Sequence, residues 1–301
     1  MRRISLRELE NLVALAEHCS VTRAAYAVGL SQPAMSAALK RLEHTVGSTL
    51  FVRQRGQGIR LTPEGEILVA EARSLMARSD ELQARISGAT SARSGRLVVA
   101  ALVTVAPIVI PSLVRRFQAT YPDVMVEIRI GSQDQLLDWL ATGVAHLAIT
   151  YDLEFGSAVD FERLIDAGPC AVLPEDHPLA IKNRIHLSEL ADEPYILLDL
   201  PVSREYFTSL FLAADISCIP ARRYQDLALV RAMVGNGFGY SLVNLLPASD
   251  VAQDGSRVAY VPIESPVRPL RLGLARRFGD QFPRSQETFI QFTRDSLVLP
   301  R

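Results

Sequence analysis

Apolar residues recur at helical spacing through the first fifth of the chain, and the faces they leave open are polar and small. Leu9, Leu12, Val13 and Ala16 form one apolar face of a helix predicted over 5–17. Ser20 caps a short helix over 21–28, with Ala24, Ala25 and Val28 small or apolar, and Gly29 supplies a turn. Ser31 then caps a second helix. Pro33 falls in its first turn, where a missing N–H costs little, and Met35, Leu39, Leu42 and Val46 recur at i, i+4, i+7 and i+11. Its other faces carry Gln32, Ser36 and Lys40 in one row and Pro33, Ala37 and Arg41 beside it. Such a face suits a DNA major groove: small residues allow close approach, amides and hydroxyls reach base edges, and cations meet phosphates. Two short helices joined by a glycine turn, the second polar outside, form a helix-turn-helix pattern. Gly47 ends the helix. Short strands over 50–53 and 59–62 flank a glycine-rich turn, giving a wing on which Arg53, Arg55 and Arg60 can reach phosphates or the minor groove.

Thr62 and Pro63 start a long helix. Leu68, Ala72, Leu75, Ser79, Leu82 and Ile86 alternate by four and three, a short heptad seam with nothing else in the helix to bury against. Residues 63–88 therefore read as a linker helix that pairs with a second copy, and 89–95 as a small, polar hinge loop. From 96 the pattern changes. Strands over 97–102, 124–130, 146–150, 161–164, 170–173, 195–198, 219–223, 239–243, 258–262 and 270–276 are interleaved with helices over 107–119, 133–140, 203–213, 226–234 and 284–297. Alternation of this kind predicts an α/β fold with a mostly parallel sheet.

A chain of 301 residues suits two or three domains, and 49% hydrophobic residues secure a core. No apolar run reaches the roughly 18 residues of a membrane span, and no apolar signal segment follows the basic start. A soluble, cytoplasmic protein without a membrane partner is expected. The net charge of −1 hides an asymmetry: up to Thr62 nine Lys/Arg face four acids, so this segment is +5 and the remainder −6. A basic module on an acidic body is the footprint of a nucleic-acid reader. Cys19, Cys170 and Cys218 have no metal-ligand spacing and read as reduced and structural. No G-x-S-x-G elbow, P-loop, H-E-x-x-H or dinucleotide fingerprint is present, so no catalytic residue, metal or cofactor is expected. An enzyme built on the α/β half and a solute carrier are the rival readings. The first lacks a motif and the second an export signal.

Thr22-Arg23-Ala24-Ala25, Ser31-Gln32-Pro33-Ala34, Arg41-Leu42-Glu43, Gly47, Leu50-Phe51, Arg53 and Leu61-Thr62-Pro63-x-Gly65 together resemble the winged helix-turn-helix of the LysR-type transcriptional regulators. One departure stands out: Ala37 occupies a position where the family often has a basic residue. The second half is similar to that family's effector domain at Gly95-Arg96-Leu97, Tyr121-Pro122-Asp123, Asp176-His177-Pro178-Leu179 and Gly235-x-Gly237-x-Gly239-Tyr240. The resemblance implies a DNA-binding domain over 1–62 and an effector domain over 96–301 built like a periplasmic binding protein. Lobe I would span 96–164 and 267–301, and lobe II 165–266. It implies a homodimer or homotetramer on promoter or operator DNA, with RNA polymerase as a further partner. Thr22, Arg23, Ser31, Gln32, Pro33, Ser36, Lys40, Arg41, Arg53, Arg55 and Arg60 would be the DNA contacts. It also keeps open a redox-responsive regulator acting through Cys170 and Cys218.

In open α/β sheets, ligands bind beyond the carboxyl ends of strands, at helix N-termini. Thr104 and Ser132 sit at such turns, and Ser203, with Arg204 and Pro201, at another. Tyr151 and Tyr240 follow a strand and a glycine run. Hydroxyls at helix starts favour an anionic effector, most simply a carboxylate. The same residues also read as plain caps and, for the tyrosines, as core.

Overall fold

The structure, a computed structural model, describes residues 4–54, 58–86, 95–153, 155–217, 219–279 and 284–297. Arg55, Cys218 and residues 87–94, which take in the end of the predicted linker helix and all but the last residue of the predicted hinge loop (89–95), lie outside the described residues, and so do the side chains of Arg53 and Ile86.

In the N-terminal unit, α1 (Leu6–His18) opens with a capping box. Ser5 Oγ accepts from the Glu8 amide at 3.3 Å, and Glu8 Oε2 accepts from the Ser5 amide at 2.9 Å. The hydrogen bonds from Ser5 hold the Glu8 carboxyl below its usual range. Ser20 caps α2 (Val21–Ala27) and Ser31 caps α3 (Gln32–Val46), each through its hydroxyl, and α3 stops at Gly47. The wing is β1 (Phe51–Gln54) paired antiparallel with β2 (Gly58–Leu61). Met35 and Leu42 of α3 are buried, as their spacing predicts, and Ala38 joins them, while Leu39 is only partly covered. Val46 is exposed because the last turn overruns the small core.

The helix α4 (Pro63–Ile86) departs from the reading of a helix with nothing to bury against. Its first turns belong to the core: Val69 and Ala72 are buried with α1 residues, and Leu68 and Met76 pack against the same cluster. Of the predicted seam, Leu75 and Leu82, one heptad apart, remain exposed.

The C-terminal unit begins β3 (Gly95–Leu102), α5 (Ala106–Thr120), β4 (Val124–Gly131), α6 (Gln133–Ala141), β5 (Leu147–Tyr151) and β6 (Val159–Ala167). A second layer follows: β7 (Cys170–Pro174), a short β8 (Ile185–His186) between two 3-10 turns, β9 (Ile196–Leu198), α7 (Ser203–Ala213), β10 (Arg222–Tyr224), α8 (Leu227–Gly235), β11 (Ser241–Val243) and β12 (Val258–Glu264). The chain then returns as β13 (Leu270–Arg277) and α9 (Arg284–Ser296).

The first sheet has the order β4-β3-β5-β13-β6, and the second β11-β7-β12-β8 with a small β10-β9 pair. The prediction of a mostly parallel sheet needs correcting. β3 runs parallel to β4 and β5, but β13 is antiparallel to both β5 and β6. A strand that returns from a second layer has no helical crossover to set it parallel. The two strands that link the layers, β6 and β13, are hydrogen-bonded neighbours from Val159–Arg277 to Ala167–Leu270. One hydrophobic cluster runs through both layers, from Leu97 and Phe117 to Tyr195, Phe207 and Tyr240.

Candidate DNA interface and ligand cavity

The α3 helix is split lengthwise. Gln32, Pro33, Ala37, Lys40 and Arg41 are exposed and Ser36 is half-buried, opposite buried Met35 and Leu42. Gln32 Nε2 donates to Ser36 Oγ at 3.3 Å, one turn along, so the row holds its amide in place. Ser31 Oγ accepts from the Ala34 amide at 3.3 Å, as a cap. Lys40, Arg41 and Arg60 are exposed and make no ion pair among the described residues. Thr22 is exposed on α2. Arg23 beside it is tied to its own fold, its Nη2 donating to the His18 carbonyl at 2.8 Å. Glu43 has a role that its place in the motif did not reveal. Its Oε1 accepts from the amides of Leu50 (2.8 Å) and Phe51 (3.4 Å), which fastens the start of the wing to α3.

In the C-terminal unit, Thr104, Tyr151, Ser203, Phe207 and Asn244 line one cavity between the layers, closed below by Leu198 and Leu270. Its volume is about 30 Å³, room for a water molecule. Three of the predicted residues thus meet, from the starts of α5 and α7 and the end of β5. Thr104 does not act as a cap: α5 has no side-chain cap hydrogen bond, so its hydroxyl is not spent there. Tyr151 is buried, and burial, then the nearby Tyr206, pushes its phenol far above the usual range, so it stays neutral. Asn244, which sequence reasoning missed, donates to the Ala167 carbonyl at 3.1 Å and to Tyr206 Oη at 3.4 Å. Its signal was a polar residue directly after an apolar strand.

The other predicted residues stand elsewhere. Ser132 Oγ donates to Asp134 Oδ1 at 2.5 Å and its amide to Gln135 Oε1 at 3.0 Å, so the start of α6 already holds a carboxylate of its own. Tyr240 is 1% exposed and stacks against Tyr195 at 5.3 Å, a core residue. Pro201 is exposed and lines no part of the cavity, and its carbonyl accepts from the Ser203 amide at 2.7 Å. Arg204 follows Ser203 by one position, 100° around the helix, and so faces away; its Nε donates to Asp199. Between Pro201 and Ser203, Val202 is held at φ 64 and ψ −48, a strained tight turn for a β-branched residue. That strain sits where α7 meets the cavity.

Comparison with known proteins places both halves. Residues 6–66 match the model described as "Bacterial regulatory helix-turn-helix protein, lysR family", and residues 90–298 match "LysR substrate binding domain". The transcriptional activator protein LysR of Escherichia coli (strain K12) is 31% identical over 90% of this chain and 88% of its own. The hydrogen peroxide-inducible genes activator of Pectobacterium carotovorum subsp. carotovorum is 29% identical over 92% of this chain and 91% of its own. The solved structure of a cysteine-to-aspartate variant of full-length OxyR from Pseudomonas aeruginosa superposes with a TM-score of 0.80, at 26% identity, over 99% of this chain and 100% of that one. With its helix-turn-helix unit and its substrate-binding domain both matched, the chain belongs to the LysR family of DNA-binding transcriptional regulators.

Proposed function

We propose that this regulator reads promoter DNA with the Gln32–Ser36–Lys40 row of α3, backed by Thr22, Ser31, Pro33 and Arg41 and by Arg53, Arg55 and Arg60 of the wing. Arg23 serves more to hold α2 against α1. The observation that carries this reading is the lengthwise division of α3 into a buried apolar side and an exposed side with free cations. The protein acts in the cytoplasm, as a dimer or tetramer joined in part by Leu75 and Leu82 of α4, and works with RNA polymerase at the promoter rather than as an enzyme. Footprinting of the DNA beside its own gene tests the proposal: protection at moderate salt supports it, and none at any salt down to about 50 mM would refute it.

The effector is a small carboxylate held in the Thr104–Ser203–Asn244 cavity. The Thr104 and Ser203 hydroxyls, surrounded by apolar walls, suit it, as does the uncapped start of α5, while the Asn244 amide is already spent on Ala167 and Tyr206 and shapes the wall. A cavity of about 30 Å³ must widen to accept it, and the strained Val202 turn is the place to give. Such a ligand shifts the regulator only through a difference in affinity between the closed and widened forms. In a thermal-shift screen of small carboxylates, a hit at a hundred times its Kd stabilises by about 2.7 kcal/mol, several degrees. Thr104→Val is expected to lose most of that shift and Ser132→Ala to keep it. A hit that stabilises Thr104→Val in full refutes the seat.

The peroxide-inducible relative favours a second reading, redox control. Cys170 opposes it: the thiol is buried, and burial pushes its pKa up to about 11, so almost no thiolate forms at neutral pH. A variant that keeps Cys170 as its one cysteine is therefore expected to bind DNA unchanged after brief treatment with about a tenfold excess of peroxide. Loss of binding that a reductant restores would overturn this and reinstate the redox reading.

A further inference from the structure

We infer that the C-terminal unit carries a second small-molecule site, for a monoanion with an apolar body, on the side of α7 turned away from the cavity just described. Its existence does not depend on what that cavity binds. A cleft of about 290 Å³ lies between α7, β9 and β10, about the size at which small-ligand sites begin. Its floor is apolar: Leu197, Phe211 and Ile216. Its mouth carries two arginines from separate elements, Arg204 of α7 and Arg223 of β10. Arg223 makes no ion pair among the described residues. Arg204 uses Nε on Asp199, which leaves its terminal nitrogens to grip a carboxylate. Leu212, 73% exposed on the rim, adds an apolar side chain within reach of a ligand's body.

The two cavities share one helix. Ser203 and Phe207 face the first, while Arg204, Thr208 and Leu212, each one position round, face the second. A carboxylate on the terminal nitrogens of Arg204 shares its positive charge and so loosens its hold on Asp199, whose chain leads directly into the strained Val202 turn and Ser203. Occupancy of the second site is thereby linked to the shape of the first, and the linkage is reciprocal.

The test is calorimetric titration of the full-length protein with cyclohexanecarboxylate, against sulfate (charge without body) and cyclohexylmethanol (body without charge). Cyclohexanecarboxylate is expected to bind at least about tenfold more tightly than either. Arg223→Ala and Leu212→Glu, both at exposed positions, are expected to weaken it about tenfold or more, Thr104→Val to leave it unchanged, and Asp199→Asn to tighten it by freeing Arg204. Binding that survives Arg223→Ala but is lost in Thr104→Val would assign the ligand to the first cavity and overturn the proposal. So would the absence of binding up to about 10 mM, and affinity unmoved by Asp199→Asn would remove Arg204 from the site.

Discussion

Gln32→Ala is expected to weaken binding to the cognate operator by about 1–3 kcal/mol per copy and to leave binding to random DNA nearly unchanged. The amide is exposed, and Ser36 one turn away holds it, so the contact forms without ordering a free side chain. Lys40→Ala should act differently. An exposed cation without an ion pair in its own fold is placed for phosphate, so its loss weakens all sequences alike and lowers the salt dependence of log K by about one per copy. With two copies on one operator both effects double. Neither side chain is part of the core, so unfolding midpoints should stay within about 0.5 kcal/mol of the parent. Titration of operator and random duplexes at two or more salt concentrations separates the two roles. If both variants bind both duplexes like the parent, α3 is not the reading helix.

This half of the molecule was legible because its signals are local. Ser5, Ser20 and Ser31 announce helix starts through hydroxyls that reach two or three residues ahead, and in the structure each does so. Where an outcome depended on a distant partner, the pattern ran short. Ala72 and Leu75 look alike as seam positions of α4, yet only Ala72 is buried, because α1 lies against one side of the helix and the heptad pattern contains no α1. The strand β6 runs nine residues, where alternation predicts only 161–164. Two of its acids are paired across the fold: Glu162 with Arg294 of α9 at 2.6 Å, and Asp160 with Arg276 of β13 at 3.6 Å. Charges neutralised by partners far along the chain break the alternation without breaking the strand.

The ligand cavity shows the same division at finer scale. That Thr104, Tyr151 and Ser203 converge follows from strand ends and helix starts, which the order of elements supplies. That Arg204 and Tyr240 do not join them turns on 100° of helix rotation and on a stacking partner, Tyr195, 45 residues away. Ser132 was the instructive case. A serine at a helix start reads as an anion seat, but Asp134 two residues on brings its own carboxylate to the hydroxyl. Short-range competition of this kind is visible in sequence once the acid at the second helical position is weighed as an occupant.

Gly239→Ala is expected to cost at least about 3 kcal/mol and Gly237→Ala only about 1, although the two glycines belong to one motif. Gly237 has φ +77 with nothing within 4 Å of an added Cβ, so alanine there meets only the left-handed penalty. Gly239 has φ +130, and a Cβ would lie 2.0 Å from the carbonyl oxygen of Pro194. That oxygen accepts from the Tyr240 amide at 3.0 Å, and the Tyr240 carbonyl accepts from the Ile196 amide at 2.8 Å. Alanine must therefore push apart the backbone bridge between Tyr195 and Tyr240, at the starts of β9 and β11, and with it the buried Tyr240 ring. Because Tyr240 belongs to the cluster that runs through both layers, the loss should be felt by the whole C-terminal unit. The chain's one tryptophan, Trp139 on α6, packs against that same cluster, and its emission during urea unfolding reports this unit. Gly237→Ala should shift the thermal midpoint by about 2–4 °C and Gly239→Ala by several times as much, or prevent soluble expression. Two variants within about 0.5 kcal/mol of each other would mean that Pro194 yields freely and that the bridge to Tyr240 is not what holds the second layer together.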